Sequence, residues 1–283
     1  MITLQKNNIN NINYTNFNYK KATVLITGSG TGLGKEAAIL LAKRGHKVYA
    51  TTMYEEESVN LNNFATKHNL PISSFKLNIL LEDDRKKLND IDFDVIINNA
   101  AIGNSGSVSE VPISDFIDVF NTNVFSNISI TQVALSKMIQ KKYGKVIFLS
   151  SLAGRITIPF LSPYCSSKFA IEGFAMALRA EMKKLDGTKI QVCMIEPGAY
   201  ATGFNKENNE KKFKWMQYHS YFKYKWQKIK NDEEKYWNFI EKKPFDSIIK
   251  KYIKAVESNN VKKRYTAPKI QAFIIQLQRI FGK

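Results

Sequence analysis

A chain of 283 residues, 44% of them hydrophobic, is long enough to bury a sizeable core and fits one large α/β domain better than two. The net charge of +17 invites a nucleic-acid reading, but 20 Lys and Arg against 8 Asp and Glu lie from Asn205 onward, so +12 of the excess sits in the tail, and no nucleic-acid module accompanies it. Two cysteines, Cys165 and Cys193, show neither metal-ligand spacing nor a disulfide framework; with no signal-peptide pattern and no apolar run near the ~20 residues of a spanning helix, they predict a protein of the reduced cytoplasm with no bound metal.

Residues 1–20 are rich in Asn without apolar periodicity and read as a flexible lead-in. Val24, Leu25 and Ile26 form a short apolar strand, followed by the run Gly28-Ser29-Gly30-Thr31-Gly32-Leu33-Gly34 and then by apolar residues at helical spacing over 35–44. Strands are predicted over 47–52, 72–77 and 93–97, helices over 55–68 and 82–89. Ser114 is a natural N-cap for one long helix reaching about residue 140. A fifth strand spans 145–150, a helix 164–184 and a sixth strand 190–195, before Pro197-Gly198. Alternating strands and helices, with strands apolar almost throughout, predict a doubly wound parallel sheet covered on both faces, a Rossmann fold. Such sheets bind ligands at the carboxyl ends of their strands.

The chemically telling residues fall at those ends. Ser151, Tyr164 and Lys168 have the spacing Ser-x12-Tyr-x3-Lys directly after strand five. A phenol near pKa ~10 is a poor acid-base catalyst at neutral pH, and a nearby ammonium lowers that pKa. Residues four apart on a helix share a face, so Tyr164 and Lys168 point the same way. Tyr-x3-Lys also occurs at Tyr221, Tyr224 and Tyr265, where no such strand precedes it. The glycine run, between the first strand and a helix, suits a dinucleotide's phosphates, which need close backbone approach and a helix amino end.

Taken together, these motifs resemble the short-chain dehydrogenase/reductase family over residues 21–204. Thr27-Gly28-x3-Gly32-x-Gly34 is similar to that family's cofactor turn, Asn98-Asn99-Ala100 to its strand-four motif, Pro197-Gly198-x3-Thr202 to its nicotinamide loop, and Asn123 falls where the family keeps an active-site Asn. The resemblance implies an oxidoreductase that moves a hydride between NAD(P)(H) and a carbonyl or alcohol. Tyr164 would be the general acid/base, Lys168 would tune it and touch the ribose, Ser151 would hold the substrate oxygen, and Asn123 would support a water leading to Lys168. Gly28, Ser29, Thr31, Gly32, Leu33, Gly34, Thr52, Met53, Asn78, Ile79, Asn99, Ala100, Tyr164, Lys168, Pro197, Gly198 and Thr202 would line the cofactor site. Neither Thr52 nor Met53 is acidic, and Ala50-Thr51-Thr52-Met53 is similar to the family's Ala-Thr-x-Arg, so NADP(H) is expected over NAD(H). A homodimer or homotetramer through 114–140 and 164–184 is also implied. A cofactor-sensing protein without chemistry would keep the same fold.

Three positions depart from the family pattern: Ala101 and Ser126, each where Gly is frequent, and Glu196, where Asn is frequent before Pro-Gly. From Asn205 the chain reads as a helical, basic extension rich in aromatics, Phe213, Trp215, Tyr236, Trp237 and Phe239 among them. These aromatics either wall a substrate pocket or pack helices on the core. Residues 270–281 form an apolar, weakly basic end suited to a membrane surface or a subunit interface.

Overall fold

The computed structural model describes residues 18–282. Most of the lead-in lies outside them; at its end Tyr19 is already buried in the core.

Seven parallel strands form one sheet in the order β3-β2-β1-β4-β5-β6-β7. They are β1 (Thr23–Ile26), β2 (Lys47–Thr52), β3 (Ile72–Lys76), β4 (Val95–Asn98), β5 (Tyr143–Leu149), β6 (Lys189–Pro197) and β7 (Arg264–Ala267). Strand periodicity explains why they are apolar on both sides. Val24 and Ile26 enter one core layer, and Leu25, between them, enters the other. The first layer packs under α1 (Gly32–Lys43), α2 (Glu55–Lys67) and α9 (Asp246–Glu257); the second packs under α5 (Asn127–Lys141) and α6 (Ser162–Met182). The strand order reverses at β1, which pairs with both β2 and β4, and the crevice there opens at the carboxyl ends.

Three sequence expectations change. The tail is not purely helical: β7 pairs in parallel with β6, Glu196 opposite Thr266, and extends the sheet. The single long helix from Ser114 divides into α4 (Ile113–Phe120), a π turn at Asn121–Ser126, and α5, with Pro112 rather than Ser114 at the cap. The cause is a side chain inserted at the helix ladder: Asn127 Nδ2 donates to the Asn123 carbonyl (2.8 Å) and also to that of Ala100 (3.2 Å), drawing the ladder open. Finally α6 begins two residues before Tyr164, with Pro163 in its first turn, where a missing N–H costs nothing. The remaining helices are the short α3 (Glu82–Lys86) and, in the tail, α7 (Phe204–His219), α8 (Trp226–Ile240) and α10 (Lys269–Phe281).

Candidate active site

The glycine turn is shaped by contacts that no side chain could share. Gly28 has φ +65°, and a β-carbon there would come within 2.7 Å of Ala100 Cα; one on Gly34 would come within 2.3 Å of the Gly28 carbonyl oxygen. Asn99 fastens the turn to β4. Its Nδ2 donates to the carbonyls of Thr27 and Gly28, both at 2.9 Å, while Thr27 Oγ1 accepts from the N–H groups of Asn99 and Ala100, both at 3.0 Å. Asn99 Oδ1 accepts from the Tyr252 hydroxyl of α9 at 2.9 Å. The first turn of α1 carries no side-chain cap, and Gly32, Leu33 and Gly34 face a large cavity. Uncapped amides at a helix amino end fit a pyrophosphate.

Across that cavity stand Ser151, Tyr164 and Lys168. Ser151 is placed by two bonds: its Oγ accepts from Ala153 N (3.1 Å) and donates to the Pro197 carbonyl (3.3 Å). Tyr164 lies on the same cavity wall as Ser151 and packs its ring against Phe204, with centroids 5.3 Å apart. Lys168 Nζ lies 5.5 Å from the Tyr164 ring centroid and donates to the Leu149 carbonyl at 2.8 Å. Burial pushes the Tyr164 phenol up to about 12 and brings the Lys168 ammonium down to about 8. At neutral pH the phenol therefore keeps its proton, the form that can donate to a developing alkoxide.

Asn123 is fully buried and is not part of the cavity wall. Its side chain clamps the backbone of Ile102, Oδ1 accepting from the N–H and Nδ2 donating to the carbonyl, both at 2.8 Å, and Nδ2 also reaches Ser167 Oγ at 3.0 Å. Ser29 and Thr52 also stand back from the wall: Ser29 Oγ donates to the Ile26 carbonyl and Thr52 Oγ1 to the Tyr54 carbonyl. The other residues expected for the cofactor and catalytic set all line the one cavity. Sequence reasoning passed over Gly30, Tyr54 and Glu57 at the end beside the glycine turn, the 156–160 segment elsewhere in its wall, and Tyr252 behind the turn.

The cavity measures about 1720 Å³. A single ligand commonly occupies ~300–1,000 Å³, so a dinucleotide leaves room for a second molecule. Of the tail aromatics, Tyr236, Trp237 and Phe239 line it, whereas Phe213 is buried in packing, Trp215 packs beside Gly106, and Tyr221 and Tyr224 are exposed. Lys212 and Glu233 close the far wall as an ion pair 2.6 Å apart. Despite the basic tail, the lining cations are Lys168 and Lys212 against Glu57, Asp118, Glu207, Asp232 and Glu233.

Glu196, the departure before Pro-Gly, is fully buried with compensating partners. Arg264 of β7 and Arg155 approach it at 2.7 and 3.5 Å, and Arg264 also bonds Glu172 of α6. Because the Arg264 Nε–H points to Glu172 Oε2, Glu196 Oε1 gains charge but no hydrogen bond. Burial and the neighbouring Glu172 hold the Glu196 carboxyl up at about 7. Among the described residues no cluster of metal-ligating side chains occurs, both cysteines are buried and free, and no helix is long and apolar enough to cross a membrane.

Comparison with known proteins fits this geometry. Residues 22–212 match the short chain dehydrogenase family. The chain is 34% identical over 198 residues to the "Probable short-chain type dehydrogenase/reductase VdlC" of Helicobacter pylori, covering 66% of this chain and 69% of that one. It is 31% identical over 189 residues to the 3-ketodihydrosphingosine reductase of Bacteroides thetaiotaomicron, covering 66% of each. About a third of each relative therefore lies outside the match. Among solved structures, a variant of the actinorhodin polyketide ketoreductase with NADPH superposes with a TM-score of 0.74 at 19% identity, over 88% of this chain and 96% of that one, which shows the shared fold. The chain belongs to the short-chain dehydrogenase/reductase family and is an NAD(P)-dependent oxidoreductase acting on carbonyl or CH–OH groups.

Proposed function

We propose that the protein interconverts a fairly large apolar ketone or aldehyde and its alcohol, with Tyr164 as the acid/base. The observation that carries this reading is that Ser151, Tyr164 and Lys168, its Nζ 5.5 Å from the Tyr164 ring centroid, line the same cavity as the glycine turn. A dinucleotide held by the glycine turn and the Asn99–Ala100 edge would supply or accept the hydride at the carbonyl carbon. In reduction Ser151 Oγ donates to the substrate oxygen and Tyr164 Oη delivers the proton to it; in oxidation the phenolate takes that proton back. Lys168, held by the Leu149 carbonyl, favours the phenolate while charged and reaches toward the ribose. Asn123 acts as a positioning residue, since its amide fixes Ile102 of the wall and Ser167, the neighbour of Lys168.

The wall supports that substrate class. Leu152, Ile156, Ile158, Phe160, Phe204 and Trp237 surround the space before Tyr164, and the Lys212–Glu233 pair ends it, so a long apolar body with a polar end fits. The tail from Asn205 onward builds most of the far wall, and we assign it the substrate-binding role. Ile117, Phe125, Phe169 and Phe174 are exposed apolar side chains on or between α4, α5 and α6, which supports a homo-oligomer through these helices.

Ala50-Thr51-Thr52-Met53 leans toward NADP(H), as does the relative named an NADPH-dependent pterin aldehyde reductase from Arabidopsis thaliana. The acidic side chain of Glu57, which lines the cavity beside Gly30, argues the other way. A panel of long-chain ketones, acyl ketones and small sugars, assayed with NADH and NADPH, tests the function. Turnover of an apolar ketone that is lost in Tyr164→Phe while dinucleotide binding persists is the expected result. Unchanged turnover in Tyr164→Phe would overturn the mechanism.

A further inference from the structure

We infer that Glu57 is the residue that selects the dinucleotide, and that it selects NAD(H) against NADP(H). The inference rests on the dinucleotide reading of the cavity and specifies one corner of it.

Glu57 is the third residue of α2, and its carboxylate lies over Gly30, the one position of the turn where nothing but hydrogen leaves room for it. A β-carbon on Gly30 would come within 2.4 Å of the Glu57 carboxyl carbon. Gly30 and Glu57 are therefore a matched pair, and both line the cavity. One carboxylate oxygen, Oε2, accepts weakly from Tyr54 N at 3.4 Å, and among the described residues no Lys or Arg forms an ion pair with Glu57. Its other oxygen is available to a ligand.

In this fold the adenosine ribose sits beside the first glycine turn and the end of β2, and an acid about 20 residues after the turn accepts hydrogen bonds from its hydroxyls. The end of β2 offers Thr52 and Met53, with no acid and no base. Thr52 is spent on the Tyr54 carbonyl. The acid therefore comes from the next helix, through the gap that Gly30 leaves.

A 2′-phosphate brings about −1.5 to −2 charges at neutral pH, on the phosphomonoester scale. Binding it here requires a cation, and none of the adenosine-end wall residues supplies one. The lining cations of the cavity are Lys168, beside Tyr164, and Lys212, paired with Glu233. Arg85 donates one N–H to the carbonyl of the wall residue Ile79 at 2.7 Å but does not itself line the cavity. A 2′-hydroxyl, by contrast, finds in Glu57 an acceptor already in place.

The test is equilibrium binding of NADH and NADPH to the full chain, followed by nucleotide fluorescence, for the wild type, Glu57→Gln and Glu56→Gln. The amide of Glu57→Gln keeps an oxygen toward Tyr54 N, so the start of α2 is preserved; Glu56 is exposed on the same turn and lies outside the wall. We expect the wild type to bind NADH about 10- to 100-fold tighter than NADPH. Glu57→Gln should remove about tenfold or more of that ratio, mostly by tightening NADPH, and Glu56→Gln should leave it unchanged. NADPH binding tighter than NADH in the wild type, or an equal shift in Glu56→Gln, overturns the role of Glu57 and leaves the dinucleotide site standing. Binding of neither nucleotide overturns both.

Discussion

Changing Tyr252 to Phe tests whether the tail holds the cofactor turn. The substitution deletes a single hydroxyl, one that is fully buried and donates to Asn99 Oδ1 at 2.9 Å. Burial raises the Tyr252 pKa well above its ordinary value, so the phenol is a donor throughout the accessible range. Without it the amide oxygen of Asn99, at 8% exposure, loses its donor while Nδ2 remains bound to Thr27 and Gly28. An unsatisfied buried acceptor costs about 1–3 kcal/mol, and ~2 kcal/mol at ~2–4 °C per kcal/mol gives a Tm loss of about 4–8 °C. Urea titration should show a lower midpoint with an unchanged slope, since the surface exposed on unfolding is the same. Binding of dinucleotide should weaken several-fold because the Asn99 rotamer is no longer locked from behind. A double-mutant cycle with Asn99→Ala should give a coupling of about 1 kcal/mol. Stability and affinity equal to the wild type, or strict additivity in the cycle, would refute the link between the tail and the turn.

Three further outcomes follow from the same geometry. Gly34→Ala drives a methyl toward the Gly28 carbonyl and Asn99 Nδ2, so dinucleotide affinity, read by fluorescence titration, should fall by about tenfold or more, ~1.4 kcal/mol. With the Tyr164 phenol held up at about 12, single-turnover carbonyl reduction should stay level between about pH 6 and about pH 8, while oxidation, which needs the phenolate, should rise with pH across that range; a reduction rate already falling at neutrality would contradict the assignment. Glu196 has a folded pKa of about 7, above its unfolded value, so its contribution is full below the unfolded pKa and is lost as pH rises through 7. Thermal melts should accordingly show the wild type losing stability between about pH 4.5 and about pH 8, and Glu196→Gln showing a flatter profile.

The parts of this molecule that were legible in the sequence are those that local rules decide. Apolar strands, the glycine run and the Ser-Tyr-Lys spacing each state their own geometry, and the doubly wound sheet follows from them. The π turn was not legible, because it depends on Asn127 reaching the Ala100 carbonyl, 27 residues earlier in the chain. Strand β7 was missed because Arg264, Tyr265, Thr266 and Ala267 are a short, mixed run whose pairing is decided only by the free edge of β6. Helix α9 could have been found: Ile248, Ile249, Tyr252, Ala255 and Val256 repeat at helical spacing, and all five are buried. Glu57 had a signal too, an acid in the first turn after β2 matched to a turn glycine with no side chain, but the pairing spans 27 residues and emerges only in three dimensions. The basic excess of the tail predicted nothing about the site, where acidic residues outnumber basic ones among the charged residues of the wall.

The seam at Asn99 also bears on how this protein could be re-engineered. The family match ends at residue 212, yet the turn it describes is braced by Tyr252, and the edge of β6 is covered by β7. The boundary of homology is thus not a boundary of folding. A chimera made to exchange specificity by replacing everything after residue 212 would discard a brace of the cofactor turn along with the substrate wall. Cutting instead around α7 and α8, and retaining 246–267, separates the part that recognises a substrate from the part that the dinucleotide turn leans on.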